Sequence, residues 1–138
     1  MRKVAALLLA VFALAGCSAG GAMAGKGKDR APLTLPAADS FKSGTCRDAA
    51  DPILALGKFT YDHADATQLS VAERAELVDN GNKLLALRDK AEPAVAERMS
   101  ELLMSIGVVR IKVGTTYEPR FLQDMETARM KLQNACTQ

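Results

Sequence analysis

Between Pro93 and Val113 the apolar side chains Val95, Met99, Leu102, Ile106, Val109 and Val113 recur at steps of 4, 3, 4, 3 and 4. Steps that alternate between three and four keep all six on one face of a 3.6-residue helix. That face has to be covered by other helices. Pro93 suits the first turn, where its missing N–H is not needed. A similar stripe, Phe121, Met125, Ala128, Leu132 and Ala135, follows Glu118-Pro119. Ser70-Val71-Ala72-Glu73 fits a capping box, which opens a helix carrying Leu77, Val78, Leu84, Leu85 and Leu87 as far as about Lys90. Gly81 lies inside that stripe, where it costs ~1 kcal/mol relative to Ala. Close approach of a neighbouring helix is the expected reason.

An earlier stripe, Cys46, Ala49, Ile53, Leu56 and Thr60, has Leu54 and Phe59 beside it and Thr45 with Asp48 as a cap. Pro52 falls on this stripe and disfavours a helical Asp51. The helix either starts near Ala49 or starts at Thr45 and kinks. The connections, Thr67–Leu69, Ala91–Glu92 and Gly114–Tyr117, are short, which makes neighbours antiparallel. The expected fold is all-α, an up-down-up-down four-helix bundle over residues 46–138. No Gly-rich turns separate alternating β-branched runs, so strands are not expected. With 138 residues, 49% hydrophobic and 25% charged, the chain is outside the disordered class and long enough for one domain.

The N-terminus has its own logic. Arg2 and Lys3 precede the uncharged apolar run Val4–Ala15. That run is shorter than the ~20 residues of a membrane span and suits the core of a signal peptide. At its end, Leu14-Ala15-Gly16-Cys17 resembles the lipobox of bacterial lipoproteins. The resemblance covers only the first 17 residues. It implies that residues 1–16 are a lipoprotein signal peptide and that Cys17 becomes a diacylated N-terminus. The lipid bilayer would then be a partner, and the chain would sit on the extracytoplasmic side of the cell membrane or outer membrane. Two acyl chains hold a protein where one holds it only marginally. Ala22-Met23-Ala24 offers a competing A-x-A site that would release a soluble chain starting at Gly25. Residues 17–45 are rich in Gly, Ala and Ser, with Pro32 and Pro36 and no apolar period. They read as a flexible tether spanning about 25–30 Å, in which Leu33, Leu35 and Phe41 stand isolated.

Outside the cytoplasm a disulfide is permitted. Cys46 opens the first helix and Cys136 closes the last. An up-down-up-down path brings these points to one end. A parallel or three-helix path would hold them ~30 Å apart, beyond the ~7 Å Cα limit of a disulfide. A Cys46–Cys136 staple is therefore expected.

Little in the sequence points to catalysis. Without Arg2 and Lys3, the 18 basic side chains become 16, equal to the 16 acidic ones. A neutral chain lacks the basic face that nucleic acid requires. His63 is the only histidine, which leaves no acid–base pair or triad. On a helix, Asp62, His63 and Asp65 would not converge on a metal. Met99 and Met125 fall on the seams as core residues, and no haem or di-iron pattern occurs. No enzymatic activity, cofactor or metal is expected. Leu103, Met104, Val108 and Ile111 extend the apolar surface of the third long helix beyond its seam, as a partner-binding face would. The reading is a non-enzymatic protein-binding or envelope assembly module. The alternative is a small-ligand or metal carrier with a pocket between helices.

Overall fold

A computed structural model describes residues 30–138. The segment 1–16 expected to be a signal peptide, Cys17 and the Ala22–Ala24 pattern lie outside the described residues. Within them every regular element is helical. The helices are α1 (Thr45–Asp48), α2 (Ala50–Asp62), α3 (Val71–Arg88), α4 (Pro93–Ile111) and α5 (Arg120–Thr137), with 3-10 turns at Ala38–Ser40 and Gly114–Thr116. The four long helices form a bundle. α4 packs on α3 and α5, and α2 packs on the same two. The shared core includes Ile53, Leu56, Leu84, Met99, Leu102 and Leu132, all fully buried.

Both candidate starts of the first helix exist, separated at Ala49. Pro52 has no N–H to give to the Asp48 carbonyl, and the break falls there. The stripe Cys46, Ala49, Ile53, Leu56 and Thr60 is buried throughout. Thr45 is not a cap. Gly44, at φ 77°, precedes the first turn, and the Thr45 hydroxyl donates to the Lys90 carbonyl instead (3.2 Å). This bond ties the start of α1 to the segment that ends α3.

In α3 the capping box forms as expected: the Glu73 N–H donates to Ser70 Oγ (3.2 Å) and the Ser70 N–H to Glu73 Oε2 (2.5 Å). Gly81 departs from expectation. A Cβ built there would meet Ile106 Cγ2 at 3.6 Å and Leu103 Cδ2 at 3.8 Å, ordinary contact distances. No backbone approach demands glycine. Gly81→Ala is therefore expected to stabilise the fold by ~1 kcal/mol and raise the melting midpoint by about 4–8 °C. A lower midpoint in a thermal scan would contradict this.

On α4 the seam from Val95 to Val109 is buried as spaced. Val113 is not part of it: the helix ends at Ile111, Lys112 is extended, and Val113 is exposed. On α5 the buried line is Leu122, Met125, Arg129, Leu132 and Cys136, with Ala128 beside it. Phe121 and Ala135, expected on the seam, are only half-buried. The line is turned by about one position, and the charged Arg129 within it hides it from an apolar pattern.

Cys46 and Cys136 form the disulfide, with their Cα atoms 5.2 Å apart. The preceding segment is the largest correction, because the tether expected through residue 45 is docked from Arg30 onward. The Arg30 guanidinium donates to the Tyr61 carbonyl and pairs with Asp65, while the Tyr61 hydroxyl donates to the Ala31 carbonyl (2.9 Å). Leu35 lies where a Cβ on Gly57 would be. Phe41 is buried in the core, and the Lys42 N–H donates to the Cys136 carbonyl (2.8 Å). Residues 30–42 thus form a strap along α2, from its C-terminal end to the disulfide. Burying Phe41 alone contributes ~2 kcal/mol.

Candidate functional site

The seam of α4 faces inward, which leaves Met104, Val108 and Ile111 on the opposite face. At steps of 4 and 3 they share one line along the helix. Met104 is 68% and Ile111 63% exposed, and Val108 also reaches solvent. Leu103 is not part of this line. It is half-buried and packs against the core. The line forms a ridge with a groove on each side. The groove between α3 and α4, about 380 Å³, includes Leu85, Leu103 and Gly107, and nothing lies within 4 Å of a Cβ built on Gly107. The groove between α4 and α5, about 390 Å³, includes Ser105, Phe121 and Ala128. Met104 borders both.

A second constellation lies between α2 and α5. Arg129 is buried and grips Glu126 with two hydrogen bonds, Nε to Oε2 (2.7 Å) and Nη2 to Oε1 (2.6 Å). Its Nη1 donates to Gln133 Oε1 (2.6 Å), and the Thr60 hydroxyl donates to Glu126 Oε2 (2.6 Å). Gly57 makes room for this pair: a Cβ there would meet Arg129 Cζ at 3.1 Å. None of Arg129, Glu126 or Gly57 is apparent from hydrophobic spacing. The available signal was the i,i+3 Glu126–Arg129 pair set opposite two small residues, Gly57 and Thr60. Above the network, a cavity of about 300 Å³ opens between the strap and the two helices, lined by Arg30, Leu33, Thr60, Leu122 and Glu126. Its size is at the lower limit for a small-molecule site.

His63 caps α2. Its Nδ1 donates to the Phe59 carbonyl (2.8 Å), its Nε2 lies 2.9 Å from Glu73 Oε1, and its ring stacks on Phe59 with centroids 4.2 Å apart. Glu73 is held below the usual carboxylate range, first by the Ser70 N–H and hydroxyl and then by His63. Nearby, burial pushes the Tyr117 phenol up, and its hydroxyl has no partner among the described residues. Both His63 nitrogens are engaged, so the ring offers neither a free base nor a free ligand. Asp62 pairs with Lys58 and Asp65 with Arg30, so the three residues do not converge. Among the described residues no group of three His, Cys, Asp or Glu side chains could hold a metal. No described helix is long and apolar enough to cross a membrane.

No protein-family model, curated protein or solved structure matches this chain.

Proposed function

We propose that this chain is an extracytoplasmic lipoprotein, anchored through acylated Cys17, whose disulfide-stapled bundle binds another envelope protein through α4. The exposed Met104 and Val108 of the α4 ridge carry this reading. Apolar side chains left in water on a stable helix are best explained by a surface that is covered at work. The reading includes an up-down-up-down path. In its support, only residues 89–92 separate α3 from α4, and a Cβ on Gly81 of α3 would meet Ile106 and Leu103 well along α4. The His63–Glu73 contact joins the end of α2 to the start of α3, and the disulfide joins the start of α1 to the end of α5.

The test is a photo-crosslinker at Met104 in intact envelopes. The reading predicts a discrete adduct that Val108→Lys removes while the helical circular dichroism is kept. An absence of any adduct would contradict it. The cavity beside the strap supports a second reading, a carrier of a small apolar ligand. A carrier would melt at higher temperature with its cargo present, whereas the Met104 adduct would not depend on small molecules.

A further inference from the structure

We infer that the end of the bundle formed by the α2–α3 and α4–α5 connections rests on the bilayer, with Val71, Ile111 and Val113 entering the headgroup layer. This rests on the anchored, up-down-up-down reading above.

The strap sets the geometry. Because residues 30–42 run from the C-terminal end of α2 to the disulfide, the chain enters the folded domain at Arg30, beside Tyr61 and Asp65. Cys17 is only 13 residues upstream. Thirteen residues reach at most ~45 Å from that point, and the disulfide end lies a further helix length, ~28 Å for α4, along the bundle. The anchor is therefore tied to this end and not to the disulfide end.

The same end carries the exposed aliphatic side chains. Val71, the first residue of α3, is 76% exposed, and Ile111 and Val113 at the end of α4 are 63% and 47% exposed. Toward the disulfide end the exposed apolar side chains are Leu85, near the end of α3, and Met130, past the middle of α5, at 45% and 48%, both less exposed than Val71 and Ile111.

The charges fit as well. Asp62, Asp65 and Glu118 each engage a cation of their own, Lys58, Arg30 and Arg120, and Glu73 is held by Ser70 and His63. Arg110 and Lys112 flank Ile111 and are available for lipid phosphates. Lys112 and Arg120 also bracket the half-buried Phe121 ring, at 5.7 and 5.4 Å from its centroid. An apolar body tipped by cations suits the depth of the headgroups. In this orientation the Met104–Val108 part of the ridge faces sideways, toward neighbouring proteins in the same membrane.

The experiment uses the full chain purified from membranes and reconstituted in vesicles of phosphatidylethanolamine with a minority of phosphatidylglycerol. An environment-sensitive dye is placed at Thr115→Cys, in the α4–α5 connection, or at Asp89→Cys, at the disulfide end. Lipid-borne quenchers should dim the Thr115 dye and spare the Asp89 dye. Ile111→Ser with Val113→Ser should lower the ratio of docked to undocked chains roughly tenfold, about 1.4 kcal/mol. Chains that float with the vesicles while both dyes escape quenching would overturn the docking and leave the anchor standing. Stronger quenching at Asp89 would overturn the orientation. Chains that do not float at all would overturn the anchor, and the docking with it.

Discussion

Replacing Cys46 and Cys136 together by Ala is expected to lower stability by ~4–5 kcal/mol and the thermal midpoint by about 20–30 °C. The bond closes a loop of nearly the whole bundle, with its cysteines 90 positions apart. In the chain-entropy view, a loop of that length removes much of the freedom of the unfolded chain. Its location adds to the effect. The bond joins the start of α1 to the end of α5, and the strap bonds to the Cys136 carbonyl at the same place. Small domains have little stability to spare, so the loss is a large share of the total. Ala is preferred to Ser because both sulfurs are buried, and a buried hydroxyl would add a cost of its own. Parallel thermal scans of the parent and double variant, followed by circular dichroism, decide the matter. A fall of less than about 5 °C would show that the loop contributes little.

The second large effect is expected at Arg129. Arg129→Met should cost ~3 kcal/mol, because it leaves Glu126 and Gln133 without the group that joins them. The figure is set at the low end of the range for buried pairs. The Arg129 side chain is 4% exposed, but Glu126 keeps 31% of its side chain in water and remains partly solvated once alone. Adding Glu126→Met should recover most of the loss, since an apolar pair of similar volume removes the stranded charge along with its partner. Urea unfolding of both single variants and the double variant gives the coupling. A double variant no more stable than Arg129→Met alone would contradict the account.

These two sites show unequal legibility in the sequence. The disulfide and the seam of α4 could be read directly, because both follow from periodicity along one helix and from where helices begin and end. The Ser70–Glu73 cap could be read for the same local reason. Arg129 could not: a pattern built on apolar residues passes over a buried guanidinium, so the stripe of α5 was displaced toward Phe121 and Ala135. The strap was missed on different grounds. Leu35 and Phe41 have no period because their segment is not helical, and their partners, among them Gly57, lie on other elements. Contacts between distant segments leave no spacing to read. Thr45 was mistaken for a cap because its true partner, the Lys90 carbonyl, is 45 residues away. Of the proposed binding face, Met104, Val108 and Ile111 were legible as surplus apolar surface. Leu103 was included because periodicity alone does not tell a widened seam from an exposed face.

The docked strap also changes what an anchored domain could do. A free tether up to residue 45 would let the bundle turn freely and search about 25–30 Å. A strap fixed from Arg30 leaves 13 residues between the proposed acylated Cys17 and the folded domain. The domain would then stay close to the bilayer, with α4 held at a limited range of angles to neighbouring proteins.

The intact mass of the protein extracted from its native membrane, with thiols alkylated before and after reduction, tests the central claim most directly. The account predicts a chain beginning at Cys17 that carries a diacylglyceryl group, with two alkylations gained only after reduction. A mass beginning at Gly25, or one bearing no lipid, would contradict the anchor, and alkylation without reduction would contradict the staple.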